Sequence, residues 1–103
     1  MTENLTCEQF SQYLGTVFQL HVPSASPLEL KLVEVTPFQM HFATQARESA
    51  ARSPFSLLFQ GSLDIQLPQC IYTLEHNQMG KLDIFLVPIA RKHDGMRYEA
   101  VFT

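Results

Sequence analysis

From Phe18 onward, apolar and polar side chains alternate with a period of two, the pattern of a strand with one buried face. Phe18, Leu20 and Val22 alternate with Gln19 and His21, until Pro23-Ser24-Ala25-Ser26-Pro27 breaks the strand with a turn. Leu28, Leu30 and Leu32 follow, set against Glu29 and Lys31, before the apolar phase slips by one residue to Val33 and Val35. A slip of one is what a β-bulge produces. Pro37, which has no amide proton to give, ends this strand or marks its exposed edge.

Phe38, Met40 and Phe42 predict a third strand, and the polar stretch from Thr44 to Pro54 reads as a loop. Alternation resumes at Phe55, Leu57 and Phe59 up to Gly61, and again at Leu63, Ile65 and Leu67 until Pro68 interrupts. Ile71 to Glu75 reads as a strand with Tyr72 and Leu74 on one face, and Gln78-Met79-Gly80 turns the chain. Leu82 to Ile89 is apolar on both faces, as in a central strand, although Pro88 suggests a sheet margin there. Asp94-Gly95 predicts a tight hairpin turn into a last strand, Arg97 to Phe102.

Ahead of the strands, Thr6 and Gln9 form a capping box, with Leu5 and Phe10 at the staple positions around it. Phe10, Tyr13 and Leu14 make an apolar stripe, and Gly15 supplies a stop, so Cys7 to Leu14 reads as a two-turn helix. A helix this short is not stable alone and must cover part of a sheet. The expected fold is mainly β: one domain over residues 1–103, a small antiparallel barrel or sandwich of about seven strands with a short N-terminal helix.

Composition narrows the function classes. Apolar residues make up 46% of the 103 residues and charged residues 17%, which excludes a disordered chain. The net charge of −3, with no basic stripe beyond Arg91-Lys92-His93, argues against nucleic acid. The first residues carry neither a basic region nor an apolar run, and nothing approaches a membrane span, so a cytoplasmic protein without membrane contact is expected. Cys7 and Cys70, the two cysteines, are expected as free, buried or half-buried thiols.

Chemistry is sparse. His21, His41, His76 and His93 are isolated from one another, in no metal-ligand spacing; the first two occupy polar strand positions and the last two lie near turns, so all four read as surface residues. Cys7 at a helix start sits beside Glu8, which opposes thiolate formation. No serine lies in a nucleophile-elbow context, Asp64 and Asp83 read as outward, and the glycines are scattered singly. No enzyme, cofactor or metal site is expected. The aromatic set Phe55, Phe59, Tyr72, Phe85, Tyr98 and Phe102 is expected in the core.

The segments Phe55-Ser56-Leu57-Leu58-Phe59-Gln60-Gly61, Leu67-Pro68-Gln69-Cys70-Ile71-Tyr72, Gly80-Lys81-Leu82-Asp83-Ile84-Phe85-Leu86-Val87-Pro88 and Tyr98-Glu99-Ala100-Val101-Phe102 resemble a family of bacterial domains of this size with no assigned function. With the opening Phe10 to Phe18 region, nearly the whole chain is covered. The resemblance implies company with phage-tail-type collar or fibre proteins and carries over no catalytic residue. The leading expectation is a protein-interaction or structural domain, binding a tail-fibre-like protein or itself. Its contacts are expected at edge strands, Gln45, Arg47, Arg52 and Gln69. The alternative is a small-molecule binder with a cavity inside the sheet, lined by Phe38, Met40, Phe59 and Tyr72.

Overall fold

The structure, a computed structural model, describes residues 6–23, 26–37 and 54–102. A short helix α1 (Cys7–Ser11) precedes the strands β1 (Val17–His21), β2 (Leu28–Pro37), β3 (Phe55–Gly61), β4 (Cys70–His76), β5 (Gly80–Lys92) and β6 (Gly95–Phe102). All pairings are antiparallel, and the strand order β1-β2-β3-β6-β5-β4 closes on itself as a barrel. Two three-stranded meanders are thus joined edge to edge, and the chain crosses one end of the barrel between β3 and β4.

Alternation along each strand fills the interior. Phe18 and Leu20 of β1, Leu30 and Leu32 of β2, and Phe55, Leu57 and Phe59 of β3 are all buried, as are Leu82, Ile84 and Leu86 of β5. So narrow a barrel is filled by its own side chains. The phase slip in β2 is a bulge: Leu32 opposes Phe59 and Glu34 opposes Leu58, leaving Val33 without a partner and Val35 half-buried. A second bulge falls at Ile89 on β5, between Pro88 and Ala90. Pro88 lies beside this bulge and beyond the last β4–β5 pair, Cys70 with Leu86, so β5 is paired there on its β6 side alone, a sheet margin of the kind that tolerates proline.

Each end has a plug. At one, the Thr6 capping box forms as expected, with the Gln9 amide donating to Thr6 Oγ1 at 3.2 Å and the Thr6 amide donating to Gln9 Oε1 at 3.0 Å. It holds Phe10 over Phe18, Phe55 and Phe102, with ring centroids 6.5, 5.9 and 5.6 Å away. The helix ends at Ser11, shorter than expected, and turns to Gly15, whose φ of +86° supplies the stop. Leu14 is 52% exposed, so of the expected stripe Phe10 and, in part, Tyr13 face inward, with Cys7 packed half-buried against the core.

At the other end lies the 62–69 crossover, irregular rather than the strand that Leu63, Ile65 and Leu67 predict. Leu67 is buried beneath it, and its amide donates to Tyr98 Oη at 3.0 Å while that hydroxyl donates to the Ile65 carbonyl at 3.3 Å. Alternation there reflects a segment laid across the barrel mouth, not a sheet pairing. The strand expected around Phe38–Phe42 and the loop from Thr44 lie almost wholly outside the described residues, which contain six strands.

Candidate interaction surfaces

The outer wall of the barrel is divided. Across β2, β1 and β4 it is polar: Gln19 stands between Glu29 and Glu75, and His21 Nε2 lies 2.8 Å from Glu75 Oε1. Thr73 donates to Asp83 at 2.8 Å, and Lys81 opposes Glu75. His21 is thus half-buried and paired rather than freely solvated.

Around the wall the character changes. Ile71 of β4 and Phe85 of β5 are direct cross-strand partners, 65% and 49% exposed. Val87 and Glu99 pair one step further along β5 and β6, and Val101, 51% exposed, projects from the same side of β6 as Glu99. Ile71, Phe85 and Val101 therefore form an apolar belt on the outside of three adjacent strands. Phe85 is a correction to the expected core set: strict alternation buries Ile84 and Leu86 and turns Phe85 out.

A groove of about 550 Å³ opens where β2 and β3 part. Their ladder ends at Lys31 and Gln60, and Gly61 and Ser62 lead the chain away into the crossover. Leu28, Ile65 and Val17 line the groove, Leu30 and Tyr98 lie at its floor, and Glu29 and Asp94 stand at its rim. Gly61 shapes the floor, since a Cβ there would lie 2.9 Å from Leu30 Cδ2 and 3.1 Å from Tyr98 Cε2. Desolvation of the Asp94 carboxyl acts upward, but the hydrogen bond from Arg97 at 3.1 Å, the Arg97 charge and a backbone hydrogen bond together hold it below the usual value. Gln60 Nε2 donates to the Asp94 carbonyl and anchors the β5–β6 turn, the hairpin that Asp94-Gly95 predicts.

His76 is buried, against the expectation of a surface residue near a turn. Its Nδ1 accepts from the Gln78 amide at 3.0 Å and, more weakly, the Met79 amide at 3.4 Å. The ring proton therefore belongs on Nε2, which donates to Thr16 Oγ1 at 3.0 Å, and that hydroxyl donates to the Tyr13 carbonyl. The ring lies 4.6 Å from Tyr13 and 4.5 Å from Phe18, and burial lowers its pKa. Every polar atom of the imidazole is spent on structure.

Gln69, the one expected contact residue among those described, is exposed at the foot of β4; Gln45, Arg47 and Arg52 lie outside the described residues. So do Phe38, Met40 and His41, while Phe59 is fully buried, edge-on to Phe18 at 5.4 Å. Half-buried Tyr72 donates its hydroxyl to the Pro68 carbonyl at 2.6 Å. Both cysteines are free, Cys7 half-buried and Cys70 exposed at the start of β4. Among the described residues, no group of three or more His, Cys, Asp or Glu could hold a metal ion, and no helix is long and apolar enough to cross a membrane.

Fold and surfaces together define a small closed antiparallel barrel, filled inside, whose distinctive chemistry lies on its outer wall and at one mouth. The chain belongs to the family DUF6916, a domain of unknown function, whose model matches residues 5–102. No curated protein and no solved structure matches it.

Proposed function

We propose that this chain is a non-enzymatic protein-interaction domain that docks through the outer face of β4, β5 and β6. The supporting observation is the apolar belt: Ile71 and Phe85, directly paired, are 65% and 49% exposed beside Val101. Contiguous exposed apolar surface of this kind marks contact sites more often than scattered single residues do. Closure of the barrel pairs most strand edges, so the main contact shifts from the edge strands expected from sequence to a sheet face. The partner class we favour is a tail- or fibre-type structural protein, on the strength of the resemblance alone.

The test is capture of tagged protein at near-native level from its own host, with mass spectrometry of what accompanies it. Ile71→Lys and Phe85→Glu are run alongside. Both side chains are well exposed, so the variants should fold with stability near the parent's. Expected is a reproducible tail- or fibre-type partner that both variants lose. The proposal fails if capture is unchanged in both variants, or if nothing beyond the tag control is recovered.

A further inference from the structure

We propose that the groove beside β2 takes an extended peptide segment by strand addition, with a basic side chain flanked by apolar ones. This surface is separate from the apolar belt, and the inference stands whether or not the belt is used.

Main-chain geometry carries it. Leu32 gives its amide to the Thr16 carbonyl at 3.0 Å and accepts from the Gly15 amide at 2.7 Å, so its polar groups face the β1 side. Successive residues of a strand point these groups to opposite sides, so Lys31 and Glu29 direct theirs toward β3. Lys31 is met by Gln60, but the ladder stops there, and among the described residues no backbone hydrogen bond joins Glu29 to Ser62 or the rest of the crossover. Among the described residues the amide and carbonyl of Glu29 therefore face the groove as an open pair. An extended chain supplies the complementary pair, which is how strand addition gains affinity.

Shape and charge select the side chains. The groove holds about 550 Å³, within the range of sites that enclose a ligand of a few residues. Its walls are apolar at Leu28 and Ile65, which suits apolar side chains on either side of the paired residue. Two carboxylates and the Lys31 ammonium line the rim; the Asp94 carboxylate is engaged by Arg97, Lys31 stands two residues along from Glu29 and opposite Gln60, and the Glu29 carboxylate is exposed. The residue opposite Glu29 in an added strand lies beside that carboxylate, and a lysine or arginine there is favoured.

The test uses a blocked pentapeptide of alternating valine and lysine, with lysine at the centre, titrated into the labelled protein while amide resonances are followed. Expected are shifts concentrated at residues 27–31 and 62–67. N-methylating the central lysine of the peptide, which removes its pairing amide, should weaken binding about tenfold. Glu29→Pro deletes the facing amide at a position where proline disturbs no other pairing, and should do the same with the fold retained. Glu29→Gln should weaken binding only severalfold. The inference is overturned by shifts centred on the Ile71–Phe85 belt, by an N-methylated peptide that binds as well as the parent, or by no shifts at millimolar peptide. The peptide variant needs no change to the protein, so a misfolded proline variant would not blunt the test.

Discussion

Acid should destabilise this barrel through His76, by an amount the structure bounds. Nδ1 of His76 can accept the Gln78 and Met79 amides only while it carries a lone pair, and Nε2 is already committed to Thr16. Protonating the buried ring would set a third N–H against two amide donors. The neutral imidazole is thus the native form, and burial lowers its pKa from the ordinary value. In the unfolded chain the same residue titrates near 6.5. As pH falls through that value the unfolded state takes up a proton that the native state refuses. Stability is therefore fully present above the unfolded pKa and is lost toward the lower, native pKa.

The limiting slope for one group is about 1.4 kcal/mol per pH unit. Between pH 7 and pH 5, a native state that never protonated would lose about 2 kcal/mol, and any protonation of the native ring reduces that. The assay is urea unfolding of the parent and of His76→Asn at pH 7, 6 and 5. His76→Asn keeps an acceptor near Nδ1 but cannot titrate, and it should cost about 2 kcal/mol at pH 7 through lost packing and the stranded Thr16 hydroxyl. The difference between parent and variant should shrink as pH falls, by no more than the ceiling above. Exposed His93 and the His21–Glu75 pair are unchanged in both proteins and cancel in the comparison. A parent–variant difference that stays constant, or grows in acid, would refute the assigned tautomer and the sign worked from it.

Other consequences are open to the same denaturation measurements. Tyr98→Phe removes the hydroxyl that meets the Leu67 amide and the Ile65 carbonyl, and should cost about 1–3 kcal/mol, with faster hydrogen exchange at Leu67. Gly61→Ala should cost about 1–3 kcal/mol, because its Cβ would press on two buried side chains that can give a little. Gly95→Ala should cost more than Gly61→Ala, since φ is +145° and the new Cβ would lie 2.6 Å from the Gly61 carbonyl oxygen, a backbone atom; equal costs would contradict this ranking. Thr6→Ala should cost about 1 kcal/mol and speed exchange at the Gln9 amide, which loses its cap.

What the sequence discloses of this molecule is whatever is decided locally. The cap at Thr6 and the slip at Val33 are each set by a few neighbouring residues and stand where the pattern places them, while the last hairpin turn falls one residue early, at His93-Asp94 with Gly95 opening β6, and the helix ends at Ser11, ahead of Gly15. Closure is decided elsewhere. Nothing in β1 or β4 announces that Gln19 will sit opposite Glu75, 56 positions on, so barrel and sandwich remain equal in the pattern. The same distance hides the surfaces that matter. His76 resembles any residue before a turn until Thr16 and Tyr13, just ahead of the neighbouring strand β1 and some sixty residues earlier in the chain, enclose it. Phe85, within an unbroken apolar run, resembles core until strict alternation turns it outward beside Ile71. Glu29 is an ordinary outward charge in its own strand, and only the early end of the β2–β3 ladder leaves its main chain open to the groove. The sequence does carry one signal for that last feature: Gly61 closes β3 one residue past Gln60 and brings no side chain to fill the gap. Both proposed contact surfaces are therefore products of topology acting on locally unremarked residues, and substitution at Ile71, Phe85 or Glu29 should change binding while leaving the local elements around them intact.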